Sequence, residues 1–359
     1  MITACAETAR SDLQSFNSPR VACNITARKW GATAVMNAMN ARQTRNRLKA
    51  IGLTVATLGA FHSAAGLAAA IQPDPPITCK SCEAWNLPQE PFQVYGNTYY
   101  VGVAGLSSIL IASSKGLILI DGALPQSAPL IAASIAKLGF RVEDLKLIVN
   151  AHAHFDHAGG IAALQRASGA SVAASPSGAR ALAAGGPTAD DPQFGSPNNR
   201  FPPVQRVRSV SDHETLRVGS LAITAHLTPG HTPGSATWTW RSCEADRCLS
   251  IVYADSLSAV AAPGFRFTGN DPAASRVATF MNSIATVESL PCDVLLSPHP
   301  ELFDMDAKLL RRHAQPAINP FIQTGSCRHY AAGARQALQQ RIVEERIASE
   351  EKQGHRDTK

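Results

Sequence analysis

The run His152-Ala153-His154-Phe155-Asp156-His157 places four potential metal donors within six residues, after an apolar stretch and before Ala158-Gly159-Gly160. In extended backbone, residues i and i+2 point to one side, so His152 and His154 converge on one cation. Asp156 and His157 lie past that point, where a turn into a following helix aims them at a second cation. Imidazole and carboxylate are zinc donors, and catalytic zinc sites keep a position open for water beside three protein ligands. A chance group of exposed histidines is the bland reading, and three His and one Asp at this spacing argue against it. Three other segments add polar groups at strand ends. Thr228-Pro229-Gly230-His231-Thr232-Pro233-Gly234-Ser235 fixes His231 in a Pro/Gly turn. Tyr253-Ala254-Asp255-Ser256-Leu257-Ser258 ends one strand, and Ser297-Pro298-His299-Pro300 follows another. His213, His226, His313 and His329 lack partners at ligand spacing and read as ordinary polar residues.

These donors need strands that end at one place. Residues 71–98, with Pro73, Pro75, Pro76, Pro88 and Pro91, read as an extended arm without periodicity of its own. From Tyr99 the pattern becomes β: Tyr99–Val103, Ser108–Ala112 and Gly116–Asp121 are short strands separated by turns. Leu117-Ile118-Leu119-Ile120 is apolar on both faces, which places that strand centrally in a covered sheet. Ser127–Leu138 is a helix, Leu145–Asn150 a strand running into the histidine motif, and Gly160–Ala167 a helix. A strand, a ligand loop and a helix start put a site at the carboxyl end of a sheet strand. Short strands follow from Val204 to Tyr253, then a helix over Pro272–Leu290, a strand over Asp293–Leu296 and a charged amphipathic helix over Ala331–Lys352. Gly185–Pro203 is a long loop, of a length often functional in a compact domain. Strands with interspersed helices in both halves predict an α/β sandwich with helices on the outer faces.

The charge distribution excludes one partner class. The net charge is +6, yet residues 1–70 hold eight of the 33 Lys/Arg and two of the 27 Asp/Glu, leaving 25 of each in 71–359. A neutral body offers no electrostatic footprint for nucleic acid. Arg42, Arg45, Arg47 and Lys49 precede the apolar stretch Ala50–Phe61, which ends in Ser63-Ala64-Ala65 and Ala68-Ala69-Ala70. That order reads as a secretory signal peptide over 36–70, engaging the export machinery. The stretch is too short for a membrane anchor. Translation is expected to begin at Met36 or Met39, with 1–35 an extension that has no folding role and 71–359 the folded domain. Beyond Cys5 and Cys23, six cysteines remain, and an even count in an exported chain reads as a disulfide framework of open connectivity. Cys243 and Cys248 flank a turn between strand-like runs and could staple that hairpin. Cys79-x-x-Cys82 is open between a bridge, a redox pair and a metal site, and lacks the His that haem attachment needs.

Taken together, His-Ala-His-Phe-Asp-His-Ala-Gly-Gly, Gly-His-Thr-Pro-Gly-Ser, Ala-Asp-Ser-Leu-Ser and Ser-Pro-His-Pro resemble the metallo-β-lactamase superfamily, in particular class B β-lactamases of the third subclass. The resemblance covers roughly residues 79–335 and implies an αββα sandwich holding two zinc ions. It implies His152, His154 and His231 as ligands of the first zinc, and Asp156, His157 and His299 as ligands of the second. Ser256 stands where the first subclass has a zinc-binding Cys. Ser256 and Ser258 are then expected to contact the substrate carboxylate, with Gln193 and Phe194 lining the groove. The bridges implied are Cys292–Cys327 and Cys243–Cys248. The implied reaction is periplasmic hydrolysis of the β-lactam amide in penicillins, cephalosporins and carbapenems by a metal-held hydroxide. Zinc lowers the pKa of water from ~15.7 to about 7, and Asp156 orients that nucleophile. Asp121, in Ile120-Asp121-Gly122, is expected to accept a ligand histidine's spare N–H. The rival enzyme is a glyoxalase-II-like thioesterase or a lactonase, in which an Asp bridges both metals; Asp255 beside Ser256 is the residue that separates the readings. A catalytically silent zinc-binding protein is the third reading, and retention of all six ligands opposes it.

Overall fold

The computed structural model describes residues 71–357, with the side chains of residue 272 and of 352–357 left undescribed. The leader and translation-start expectations lie outside those residues. Seven strands form the first sheet in chain order: β1 (Phe92–Tyr95), β2 (Thr98–Tyr100), β3 (Ile109–Ser113), β4 (Gly116–Ile120), β5 (Leu145–Val149), β6 (Ser171–Ala174) and β7 (Val207–Ser209). Pairing is antiparallel from β1 to β4 and parallel from β4 to β7. The second sheet holds β8 (Thr215–Val218), β9 (Leu221–Leu227), β10 (Ala236–Glu244), β11 (Arg247–Tyr253) and β12 (Val294–Leu296), in the order β12-β11-β10-β9-β8. In it β11 pairs with β12 in parallel, and the other neighbours pair antiparallel.

The side-chain period of a strand explains the layering. On β4, Ile118 and Ile120 turn into the space between the sheets, where they join Ile109, Val149, Ile223, Trp238 and Ile251. Leu117 and Leu119 turn the other way and pack with Ile131, Ile135, Ile161 and Leu164. Those four belong to α2 (Ala128–Lys137) and α4 (Ile161–Ser168), which cover the first sheet. The second sheet is covered by Phe280 and Ile284 of α6 (Val277–Ser289) and by Ala331 and Leu338 of α8 (Ser326–Asp357). The layers are therefore α, β, β and α, and β4 is buried on both faces along its whole length.

Several element boundaries differ from expectation. The proline-rich arm contains a one-turn helix, α1 (Cys82–Trp85), and the edge strand β1. Proline ends at Pro91, so Phe92–Tyr95 is free to pair with β2. The expected strand Tyr99–Val103 is shortened because Gly102 lies against the Leu106 carbonyl, with room for no Cβ, and the chain turns there. The helix expected over Pro272–Leu290 begins with a separate 3-10 turn over Pro272–Ala274. Three further helices were not foreseen: α3 (Phe155–Ala158), α5 (Pro176–Ala184) and α7 (Met305–Ala314). Ser175 caps α5 by accepting from the Gly178 N–H, and Gly185 closes it with φ +66°. Among the described residues, no helix is long and apolar enough to cross a membrane.

Candidate metal centre

Every donor segment leaves a strand at the same edge of the sandwich. Asn150 and the histidine motif follow β5, His231 lies between β9 and β10, Asp255 and Ser256 follow β11, and His299 follows β12. The two sheets are tied together there by the Ala236 N–H on the Ala151 carbonyl (2.8 Å) and by Trp238 Nε1–H on the Asn150 carbonyl (3.2 Å). His154 sits on extended backbone as the N-cap residue of α3, whose single turn then carries Asp156 and His157. Gly160 makes the turn possible: a Cβ there would meet the Gly122 carbonyl at 2.3 Å.

The side chains form two donor sets. His152, His154 and His231 bring one nitrogen each within 4.8 Å of one another, as do one donor atom each of His152, Asp156 and His157. Ring centroids of His152, His154 and His231 lie 4.7–5.0 Å apart, edge to face. His299 joins the second group, its Nε2 lying 3.6 Å from Asp156 Oδ2, while His157 Nε2 lies 3.4 Å from the same oxygen. All six residues are buried except His299, whose side chain is 18% exposed.

Four of the five rings are aimed by what holds their other nitrogen, while His157 Nδ1 is buried without a partner. His152 Nδ1–H donates to Asp255 Oδ1 (2.7 Å), leaving Nε2 buried without a partner. His154 Nε2 lies 3.2 Å from both Asp191 oxygens. His231 Nδ1–H faces the Ser258 carbonyl at 2.9 Å, with the Ser258 hydroxyl at 3.0 Å. His299 Nδ1–H points at the Gly105 carbonyl, 3.3 Å away. Such partners set tautomer and ring direction in metal sites. Burial, followed by the neighbouring imidazoles, lowers the pKa of His231 to about 3 and holds His152 and His157 well below their ordinary value. His152, His157 and His231 are therefore neutral near pH 7, the state in which imidazole ligates.

Asp121 does something other than expected. It contacts no histidine: its Oδ1 accepts from Asn150 Nδ2 and the Ala151 N–H, both at 2.8 Å, and its Oδ2 from the Tyr253 hydroxyl at 2.8 Å. Burial pushes its carboxyl up to about 8 against the pull of those donors. Asp121 joins the ends of β4, β5 and β11. The histidine partners are Asp255 and Asp191 instead. Asp191 was missed, although it lies in the long loop, where the pair Asp190-Asp191 before Pro192 was the available signal. Burial is the largest single influence on Asp191 and raises it, but the hydrogen bond and charge of His154, the Gln193 N–H and the charge of His231 together outweigh burial and hold the carboxyl low.

The expected groove residues divide. Gln193 reaches the site, its Nε2 3.5 Å from His231 Nε2. Phe194 is next to it and 53% exposed. Ser256 is buried with a hydroxyl that has no partner, whereas the Ser258 hydroxyl is turned onto His231 rather than into the open groove. On the opposite side, the Trp85 ring lies 5.3 Å from that of His299. Cys79–Cys82, Cys243–Cys248 and Cys292–Cys327 are disulfides. The first closes the entry to α1, and the second staples the tip of the β10–β11 hairpin.

The layers and the paired donor sets define a metal-binding αββα sandwich. The sequence model of the metallo-beta-lactamase superfamily matches residues 101–244. Among solved structures, Rm3 metallo-beta-lactamase is 49% identical with a TM-score of 0.72, over 75% of this chain and 99% of that one. MEM-A1, a subclass B3 metallo-beta-lactamase isolated from a soil metagenome library, is 50% identical with a TM-score of 0.70, over 74% and 99%. BJP-1, a subclass B3 metallo-beta-lactamase of Bradyrhizobium japonicum, is 34% identical with a TM-score of 0.68, over 75% and 99%. A hydroxyacylglutathione hydrolase of Anaeromyxobacter dehalogenans is 32% identical over 131 residues, which span 36% of this chain and only 40% of that relative. The chain belongs to the metallo-β-lactamase superfamily, with subclass B3 metallo-β-lactamases among its solved relatives.

Proposed function

We propose that the chain is a β-lactamase that uses two zinc ions to open the β-lactam amide of penicillins, cephalosporins and carbapenems. The observation that carries this reading is the placement of Asp255. Its Oδ1 takes Nδ1 of His152 while its Oδ2 is buried without a partner, and this placement behind a ligand ring favours orienting that ligand over bridging two metals. A thioesterase or lactonase of the superfamily needs the bridging role. The donor chemistry supports zinc in both sets. Bonds of about 2.0–2.1 Å in a tetrahedral site give donor-to-donor edges of roughly 3.3 Å. The 3.4 and 3.6 Å separations around Asp156 Oδ2 are close to that value. His152, His154 and His231 would hold the first ion, and Asp156, His157 and His299 the second.

Zinc, when bound, supplies a lowered water pKa and a Lewis acid for the carbonyl oxygen. The chain supplies position. Asp156 is buried at the floor of the groove, where its carboxylate can accept a hydrogen bond from the attacking water and fix its direction. The unpartnered Ser256 hydroxyl supports a role as donor to the substrate carboxylate, and Gln193 and Phe194 support walls on the His231 side. His152, His157 and His231 are already neutral near pH 7, so those three rings need lose no proton before a metal binds. No serine nucleophile and no acyl-enzyme are part of this route. The basic and apolar order of residues 36–70 and the three disulfides support export to the periplasm.

Two measurements test the reading together. Elemental analysis of zinc-loaded protein should give two zinc ions per chain. A cephalosporin should be hydrolysed with kcat/KM at least about a hundredfold above that for a glutathione thioester or a lactone; the reverse order overturns the assignment, and one ion per chain overturns the two-site scheme.

A further inference from the structure

We infer that Tyr330 is a positioning residue of the site: its hydroxyl clamps the backbone on both sides of Ser256 and thereby aims Asp255 at His152. The inference rests on the reading of His152 as a metal ligand. Tyr330 lies on α8, three residues after Cys327, whose disulfide with Cys292 ties the start of that helix to the entry of β12. From this anchored turn the phenol reaches the segment that leaves β11. It donates to the Asp255 carbonyl at 2.9 Å and accepts from the Leu257 N–H at 3.0 Å. The Ser297 hydroxyl, two residues before His299, lies 3.5 Å from the same oxygen.

One hydroxyl therefore holds both residues that flank Ser256. The Asp255 N–H is held separately by Thr237 Oγ1 (3.2 Å), and the Ala254 N–H by the Leu296 carbonyl (2.9 Å). With its backbone fixed at N–H and carbonyl, Asp255 has one remaining freedom, its side chain, and this meets His152 Nδ1 at 2.7 Å. Removing the phenol oxygen frees the Asp255 carbonyl and orphans the Leu257 N–H. The orphaned groups favour a shifted backbone, because an unpaired buried polar group is costly. A shift of a few tenths of an ångström there is passed directly to the His152 ring. Burial pushes the phenol up to about 12, so it stays a donor throughout the neutral range.

The test is zinc competition against a chromophoric chelator in the full chain, which reads affinity without reading turnover. Tyr330→Phe should lose about tenfold in affinity for one zinc ion, at the low end of the effect of losing a ligand's hydrogen-bond partner. Asp255→Ala should lose more, and the double variant should lose no more than Asp255→Ala alone, because the two act along one chain of contacts. Glu345→Gln is the control for a loosened helix. Glu345 lies further along α8 and holds the Phe267 and Thr268 N–H groups, away from the donors. It should lower Tm and leave zinc affinity unchanged. Unchanged affinity in Tyr330→Phe, additive losses in the double variant, or an equal loss in Glu345→Gln would each overturn the inference. Failure of the wild-type chain to bind zinc would instead overturn the metal reading on which it rests.

Discussion

At the residue scale, the site is a set of imidazoles, four of which have a second nitrogen held by a carboxylate or a carbonyl. Asp191 illustrates what that arrangement contributes. Both of its oxygens lie 3.2 Å from His154 Nε2, so Asp191→Ala leaves the ring free to rotate and to change tautomer. Zinc affinity should fall about 10–100-fold, measured by chelator competition, with Tm of the metal-free chain nearly unchanged; unchanged affinity would remove Asp191 from the site. His226 makes a different point, because it is buried but not a ligand. Its Nε2 meets Thr239 Oγ1 at 2.9 Å, its Nδ1 has no partner, and burial, then His213, lowers its pKa below 6.5. A folded pKa below the unfolded one means that the unfolded chain takes up the proton first. The stability His226 contributes is thus present above pH 6.5 and lost below it, by up to about 1.4 kcal/mol per pH unit until the folded ring titrates. In urea titrations, His226→Gln should lose less stability than wild type between pH 7 and 5, and parallel losses would contradict this. The four donors of the histidine motif were legible as spacing, and His231 and His299 as strand-end histidines that the family resemblance made ligands; Asp191 was not legible, because a loop carboxylate 37 residues from its histidine leaves no periodic trace.

At the element scale, the donors converge because four connections open at one edge of two sheets. The strands that do this were readable from their apolar runs, β4 most clearly, since a strand buried on both faces needs no alternation. The short elements were not. α3 is a single turn, far too short for a 3.6-residue pattern, and exists because His154 accepts from the N–H groups of His157 and Ala158. β1 was hidden behind Pro88 and Pro91, and the role of Asp121 depends on Tyr253, a strand in the other sheet. The Gly159-Gly160 pair was visible in the motif, but its reason is tertiary: helix and strand ends approach too closely for a methyl group. Gly160→Ala places Cβ at 2.3 Å from the Gly122 carbonyl, and both partners are backbone, which yields little. Overpacking of this kind costs about 1–3 kcal/mol. Denaturation of the metal-free variant should show that loss, together with weaker zinc binding, because the same turn carries Asp156 and His157. A variant as stable as wild type would show that the loop can move without cost.

At the scale of the whole molecule, disulfide bridges restrain the chain away from the ends of β11 and β12 that carry the donors. The Cys292–Cys327 bridge spans 35 residues and Cys243–Cys248 spans 5. By loop-closure entropy, removing the longer should cost about 4 kcal/mol and the shorter about 2 kcal/mol. Urea unfolding of the paired Cys→Ser variants should rank in that order, and the reverse ranking would mean that local strain or denatured-state structure dominates. The layer order was expected from strands and helices alternating in both halves, while the covering of the second sheet by α8 was fixed only by contacts of Ala331 and Leu338 that no local pattern specifies. The β-lactamase assignment is tested most directly by absorbance-monitored ring opening of a penicillin, a cephalosporin and a carbapenem by the purified chain, with and without a zinc chelator. Turnover that is abolished by the chelator and restored by added zinc is the predicted result. Absence of ring opening, or ring opening that persists after zinc is stripped, would contradict it.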